Sequence, residues 1–501
     1  MGKERKMSGL MTGEAWLLKG TLIATIIAAV LLASIPLAGA ITPGSSTVNA
    51  GIPAITNISI PSTENDISIP FQAPLNPAFI EYQSQQVNSG LVPSTVDFSA
   101  INGQMLAQVE AVTLPSIYDL RTLGKVTPVR DQGNSGCCWA FATLGSLEST
   151  LLVSQHQSMD LSENNLKNSA GFDWGPNSGG NDMMSSAYLA RWSGPVNASS
   201  DPYNPASTTS PSNLPVVKHV QNIYYVPAKT SATNLASIKS AIMTYGAMYS
   251  TIYYSNSFYQ ATTHSYYQPT SDGNSPNHAI TIVGWDDSYS ASNFSSKPPG
   301  NGAFIVKNSW GSSWGDHGYF YVSYYDKNIG TDNAIFTAEN TSDYNNIYQY
   351  DPLGWIGSFG YNSPTGWFEN KFKATSNQDI KSVGFYIPQV GSSYQIYVLN
   401  GSTNVTAAAT SGTRSMPGYY TIPLVSKVYI PKNGSFTIKV KLTTPGYNYP
   451  ISVEYPISGY SSAAKASAGQ SYISSNGVTW TDATSIKANM NVCLKAYTVN
   501  V

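Results

Sequence analysis

The chain has 501 residues, room for two or three domains, and only 11% of them are Asp, Glu, Lys or Arg, where about 25% is usual in soluble proteins. A net charge of −2 gives no basic field for nucleic acid. Serine, threonine, asparagine, glycine and tyrosine fill the gap, and a surface of hydroxyls and amides rather than ions suits an exported protein.

At the N-terminus Lys3, Arg5, Lys6 and Lys19 precede an apolar run over residues 20–37, followed by small residues through Ala40. This is the pattern of a signal peptide cut after Ala40. The run is also near the lower limit of a membrane span, so a retained N-terminal anchor is the alternative. In either case residues 1–40 meet the membrane, during export or as an anchor, and the rest of the chain lies outside it. Residues 41–113 are rich in Ser, Asn, Pro and Gln, with one compact apolar patch at residues 73–82, A-P-L-N-P-A-F-I-E-Y.

Residues 131–141 read D-Q-G-N-S-G-C-C-W-A-F. Gln132, Gly133, Asn134, Ser135 and Gly136 are loop chemistry. From Cys138 the pattern changes: Ala140, Leu144, Leu147 and Leu151 recur at helical spacing, which predicts a helix starting at or just before the cysteine. A thiol there faces the positive end of the helix dipole, which favours thiolate. The glycine-rich approach places backbone N–H groups where an oxyanion would form. Taken alone, such a cysteine is more often simple packing at the start of a core helix.

Further on, L-S-E-N-N-L at 161–166 is a capping pattern opening a short helix. Residues 177–180, N-S-G-G, read as a turn. Helices are predicted over 181–192 and 234–246, the second with Leu235, Ile238 and Ile242 on one face and Gly246 as its stop. A strand follows over 248–254. Residues 277–285, N-H-A-I-T-I-V-G-W, and 302–318, G-A-F-I-V-K-N-S-W-G-S-S-W-G-D-H-G, carry strand-like runs separated by a polar stretch with Pro298, Pro299 and Gly300. They predict an antiparallel pair. If Trp285 faces Gly302, His278 stands opposite about Asn308. An amide accepting one imidazole N–H would fix the tautomer and leave the other ring nitrogen for a thiol. Without the thiol, they are a strand-end histidine and a turn asparagine.

After about residue 339 the pattern is all-β. V-G-F-Y-I at 383–387, Y-Q-I-Y-V at 394–398, F-T-I-K-V-K-L at 436–442 and P-I-S-V-E-Y at 450–455 are short strands with turn residues between them, as in a sandwich. Trp355, Trp367 and Trp480 fill its core or offer faces for sugar rings.

Together Q-G-N-S-G-C-C-W-A-F, N-H-A-I and K-N-S-W-G-S-S-W-G resemble, in order and spacing, the three motifs of the papain-like cysteine peptidases, over about residues 114–338. The resemblance implies an α+β papain-like two-lobed peptidase, a helical lobe plus a β-barrel-like lobe, followed here by an all-β sandwich. It implies Cys138 as nucleophile, His278 as its partner and general acid/base, and Asn308 as the orienter of His278. It further implies Gln132 as an oxyanion donor, Trp310 as a shield over the His278–Asn308 bond, and Trp314 as a wall on the leaving-group side. Gly179 and Gly180 would pair with an extended polypeptide substrate. Residues 348–355 and 491–498 are similar to the lectin-like domain found behind such peptidases in archaea and some bacteria. Its ligand would be a carbohydrate or a cell-surface group. L-P-S-I-Y-D-L-R at 114–121 looks like the family's mature start. This divides the chain into 1–40, 41–113, a peptidase domain over 114–340 and the sandwich over 341–501.

Residues 41–113 are then a pro-segment lying over the cleft, or else a linker or added strand that stays attached. The disulfide that family members often place just before the nucleophile is missing at both ends, where Ser135 and Asn177 stand, so packing must hold the loop of Gln132. The three cysteines, Cys137, Cys138 and Cys493, allow at most a Cys137–Cys493 bond if Cys138 is free, across two domains. Seven N-x-S/T sequons, from Asn57 to Asn433, suit an exported glycoprotein. No metal or other cofactor is expected: the five histidines lack ligand spacing, and His317 reads as a surface residue. The function expected is that of an exported endopeptidase working through a thioester. The alternatives are an acyltransferase using the same intermediate and an adhesin with a vestigial site.

Overall fold

A computed structural model describes residues 69–85, 90–106, 113–401 and 409–501. The predicted signal segment lies outside these residues. Among those described, no helix is long and apolar enough to cross a membrane.

The helical lobe is built on the helix Cys138–Ser154, whose residues from Cys138 to Leu151 are all buried. Its sequence, CWAFATLGSLESTLL, is apolar or small at every position but Glu148, which accepts the Leu161 N–H at 2.9 Å, as a helix enclosed by its own domain requires. The predicted short helix is Glu163–Ser169, capped by the Ser162 side chain, which accepts from the Asn165 N–H. The helix expected over 181–192 is Asp182–Ala190, capped by Asn181, which accepts from the Met184 N–H. The helix expected over 234–246 is Ala236–Tyr245, and it stops at Gly246, whose φ of 121° suits a glycine.

The second lobe centres on the strands Met248–Ile252, His278–Asp286, Ala303–Lys307 and Tyr319–Ser323, hydrogen-bonded in that order. The hairpin expected between 277–285 and 302–318 is present, but its register is shifted. Trp285 faces Phe304, not Gly302, and a bulge at Val283 moves the remaining pairs by one, so that Thr281 faces Lys307. Counting on from Thr281, three residues either way, places Trp310 rather than Asn308 level with His278.

The C-terminal domain is a sandwich whose strands alternate as expected. In Ser435–Thr443 the residues Phe436, Ile438, Val440 and Leu442 point inward. The strand Gly418–Ile430 pairs with Gln378–Ile387 on one side and with His219–Tyr225 of the preceding domain on the other, Gly418 facing Tyr224. One sheet of thirteen strands therefore runs through both domains. Trp355 is buried and donates to Ser358 Oγ at 2.9 Å. Trp367 and Trp480 are only half-buried, under the ammonium groups of Lys441 and Lys439 at 5.4 and 4.6 Å, so the core role expected of all three holds for Trp355 alone.

The segment before residue 114 is bound to both domains. Phe71–Gln72 adds a strand to Gly357–Gly360. The apolar patch becomes the helix Pro77–Gln85, with Phe79 and Tyr82 buried. Phe79 meets Tyr460 edge-on at 5.1 Å and Tyr82 meets Trp174 at 5.4 Å.

Candidate active site

Cys138 opens its helix, as its sequence position requires, with Cys137 as the N-cap. His278 opens the strand His278–Asp286. Although the register is offset, Asn308 lies just past the end of the facing strand, and its side chain reaches the ring: His278 Nε2 lies 2.8 Å from Asn308 Oδ1. Because Oδ1 also accepts the Ser309 N–H at 2.8 Å, it is the acceptor, so Nε2 carries the proton and Nδ1 is the free base. Trp310 stacks on the imidazole at 4.6 Å, and Trp314 meets Trp310 edge-on at 5.0 Å. The two tryptophans dry the His278–Asn308 bond. His317 is exposed, away from this cluster.

Gln132 is held from several sides. Its N–H donates to the Ser309 carbonyl at 2.8 Å, and its side-chain oxygen accepts the Ser309 hydroxyl at 2.6 Å. One amide N–H donates to the Ser135 carbonyl at 2.7 Å, which leaves the second for a ligand. The loop is not held by packing alone: Ser135 Oγ donates to Asn177 Oδ1 at 2.7 Å, a hydrogen bond between the two residues that stand where relatives have a disulfide. All three cysteines are free. The Tyr203 hydroxyl donates to the Gln132 carbonyl at 2.7 Å, so the Cys137 thiol, 3.1 Å away, is the donor to Tyr203. Cys137 is thereby tied into the loop while Cys138 faces the cleft. Ser309 and Tyr203 were not singled out in the sequence. Ser309 sits in a quoted motif and could have been, but nothing near Tyr203 marks it.

Gly180 packs on Trp139 so closely that a Cβ would lie 2.4 Å from the indole Cε2. Its backbone is taken: Leu91 bridges to Gly180 in parallel, and the Val92 N–H donates to the Gly180 carbonyl at 2.9 Å. Gly179, beside it, makes no such bond. The preceding residue lies over the sulfur, with the Cys138 thiol 3.4 Å from the Gly90 carbonyl. The sulfur also accepts the Ala279 N–H at 3.3 Å. Among the described residues no hydrogen bond joins Cys138 to His278. Burial beneath this cover pushes the Cys138 thiol up to about 12 against the pull of the Ala279 N–H, and burial lowers His278 to about 4 against the Asn308 bond. The covered pair is a neutral thiol and a neutral imidazole.

The geometry agrees with the comparisons. A family model described as papain family cysteine protease matches residues 114–338, and one described as lectin-like domain matches residues 347–498. Residues 114–338 are a papain-family cysteine protease domain. The papain-family domain is 31% identical over 212 residues to a cathepsin L-like peptidase of Aedes aegypti, covering 42% of this chain and 58% of the relative. It is 32% identical over 242 residues to cysteine proteinase 1 of Dictyostelium discoideum, covering 45% and 66%. The chain thus spans less than two thirds of the length of either relative. Among solved structures, the cysteine protease and lectin-like domains of Cwp84, a surface layer associated protein of Clostridium difficile, superpose with a TM-score of 0.74 at 26% identity, covering 86% of this chain and 98% of that one. Clostridial Cwp84 after propeptide cleavage superposes with a TM-score of 0.68 at 29% identity, covering 77% and 100%. The papain-family domain and its lectin-like neighbour therefore occur together in a protein of the same two-domain fold.

Proposed function

We propose that this protein is a cysteine endopeptidase acting outside the cell, made in a latent form and covered by its own N-terminal segment. The observation that carries the reading is the convergence of Cys138, His278, Asn308 and Gln132 on one cleft that a stretch of the same chain, Gly90 to Val92, already fills in extended form. The surface-layer association of Cwp84 supports an extracellular setting, and its propeptide supports removal of the segment before residue 114.

Once uncovered, Cys138 passes its proton to His278 Nδ1, and the thiolate–imidazolium pair forms in the open cleft. The sulfur attacks the carbonyl carbon of a polypeptide paired with Gly180. The oxygen takes the negative charge and is met by the second amide N–H of Gln132 and the Cys138 N–H. The imidazolium protonates the departing amine, which leaves a thioester. Water then gives a proton to His278 and attacks the thioester, releasing the acid and the thiol. Asn308 holds the imidazole in plane through both protonation states.

Cys138→Ser should abolish cleavage of a polypeptide substrate while Cys137→Ser retains it, and the reverse result would overturn the assignment. Mass analysis of the products separates hydrolysis from transfer to an added amine. A chain whose Cys138 resists thiol-directed inhibitors after removal of the segment would instead be a binding protein.

A further inference from the structure

The lectin-like domain buries a charged cluster that the peptidase chemistry does not use. Asp351 follows the strand Asn346–Tyr348 near the start of the domain, and Lys495 lies in its last strand, Leu494–Asn500. Each is 1% exposed. Lys495 Nζ lies 2.5 Å from Asp351 Oδ2 and 3.4 Å from the Asp351 carbonyl oxygen. The other carboxyl oxygen, Oδ1, is buried and has no hydrogen-bond partner. Glu454, 0% exposed, belongs to the same cluster. Its carboxyl accepts the N–H of Leu353, two residues on from Asp351, at 2.6 Å, and a side-chain N–H of Asn491 at 3.1 Å. Burial, and then the charge of Asp351, hold Glu454 up to about 8, so it keeps its proton at neutral pH. Burial also holds the Asp351 carboxyl above its usual range, against the pull of Lys495.

A buried ion pair is stable only when its remaining lone pairs and protons find partners. Here the carboxylate keeps an unpartnered oxygen, and among the described residues the ammonium meets acceptors on Asp351 alone. An amide between the two side chains removes both charges and leaves one N–H and one carbonyl to satisfy. We propose that Lys495 and Asp351 are joined by an isopeptide bond that forms spontaneously in the folded domain, with the Glu454 carboxyl carrying the proton. A proton first passes from Nζ to the Asp351 carboxylate, which leaves an amine in contact with an acid. The Nζ lone pair attacks Cγ while Glu454 hands its proton to Oδ1. Glu454 then takes a proton from Nζ and passes it to Oδ2, which departs as water, and the Oδ1 proton returns to Glu454. The Nζ–Cγ bond forms, a Cγ–O bond breaks, and no oxidant or further reactant enters. Holding amine and acid together in a dry core replaces the activation that such a condensation needs in water. All three cysteines are free, so this bond would be the covalent staple of a chain without a disulfide. It would close residues 351–495 into a loop, nearly the whole lectin-like domain of residues 347–498. The proposal goes beyond the peptidase reading and stands without it.

The test is a peptide map of the full chain carrying Cys138→Ser, unfolded and digested after lysine and arginine. Asp351 falls in the peptide 328–371, and Lys495 ends the peptide that begins at residue 488. The bond predicts one branched product, residues 328–371 joined to 488–501, lighter by one water than its two parts and with no cut after Lys495. Two linear peptides of full mass, with the cut after Lys495 made, overturn the proposal, leave an ordinary ion pair and do not touch the peptidase reading. Lys495→Arg should restore the linear peptides, because a guanidinium keeps its charge and does not attack; a branched product in that variant overturns the assignment of the nucleophile. Glu454→Gln should lose most of the branched product, and an undiminished yield overturns the part given to Glu454. The map of the chain with Lys495, Asp351 and Glu454 intact decides the bond itself whether or not these variants fold.

Discussion

The covering segment can be loosened far from the cleft. Phe79 is 0% exposed and packs edge-on against Tyr460 of the lectin-like domain. Its pocket exists only while the segment is docked, so truncation of the ring weakens the docked state and leaves the released state unchanged. Phe→Ala at a buried site costs about 3–5 kcal/mol, and each 1.4 kcal/mol is about tenfold in an equilibrium. Phe79→Ala should therefore raise the open fraction of the uncleaved chain by about two to three and a half orders of magnitude. The assay is the rate at which a thiol-directed epoxide labels Cys138, since only the open form exposes the sulfur. That rate should rise in proportion in uncleaved Phe79→Ala, while chains already freed of the segment label equally fast with and without the substitution. An unchanged rate in a variant that still unfolds cooperatively would refute the reasoning, because the cover would then be held by its contacts with the peptidase domain.

Three other outcomes follow from the same structure. In the uncleaved chain, alkylation of Cys138 should climb with pH without levelling off in the neutral range, since the thiol is pushed up to about 12. After removal of the segment it should level off below about 8.5, the value of a free cysteine, and identical profiles would count against the ion pair. Ser135→Cys with Asn177→Cys should form a disulfide across 42 residues, worth up to about 4 kcal/mol, read from the thiol count and the denaturation midpoint; two free thiols would show the backbones are misplaced for it. Burial, and then Glu148, hold the Glu163 carboxyl up to about 8. Its folded value is raised, so its contribution is present below the unfolded value of about 4.3 and is lost as pH rises through about 8. The melting temperature should fall over that window and fall less in Glu163→Gln. Glu454, also held at about 8, keeps part of the slope, and an unaltered slope in the variant would exclude Glu163 as a source.

The start of the Cys138 helix was legible because loop residues give way there to a helical repeat within one step of the chain. The His278–Asn308 pair was legible as a meeting but not as a register, because the bulge at Val283 leaves no trace in an alternating apolar run. Asn308 still arrives because it has left the strand by then. The strand Gly418–Ile430 escaped notice because it holds Pro423 and Lys427 among its apolar residues. Its partner His219–Tyr225 lies far back in the chain, and the sheet through both domains depends on that pairing. The same distance hides the burial of Asp182, which in sequence is an ordinary acid in the first turn of a helix.

The placement of the cover's anchor also follows from the shared sheet. Within the cleft, residues 90–92 bridge to Gly180 in parallel, with the Val92 N–H donating to the Gly180 carbonyl. Each such bond is worth about 1 kcal/mol net, so anchors outside the cleft add to the hold on the segment. Part of that hold comes from the peptidase domain, where the Gly103 N–H donates to the Ala228 carbonyl at 2.8 Å and Phe98 packs on Tyr225 at 5.0 Å, and part from the lectin-like domain. There Phe71–Gln72 extends a sheet, Gln72 donates to the Tyr455 hydroxyl at 2.9 Å and accepts from Lys487 Nζ at 3.1 Å, and Phe79 fills its pocket. Anchoring at such a distance blocks the sulfur only if the anchor cannot move relative to the cleft. The pairing of Gly418–Ile430 with His219–Tyr225 provides that rigidity, because swinging the domains apart would break backbone hydrogen bonds in the middle of a sheet. If the segment is the cover proposed above, the lectin-like domain helps to hold it in register over the cleft.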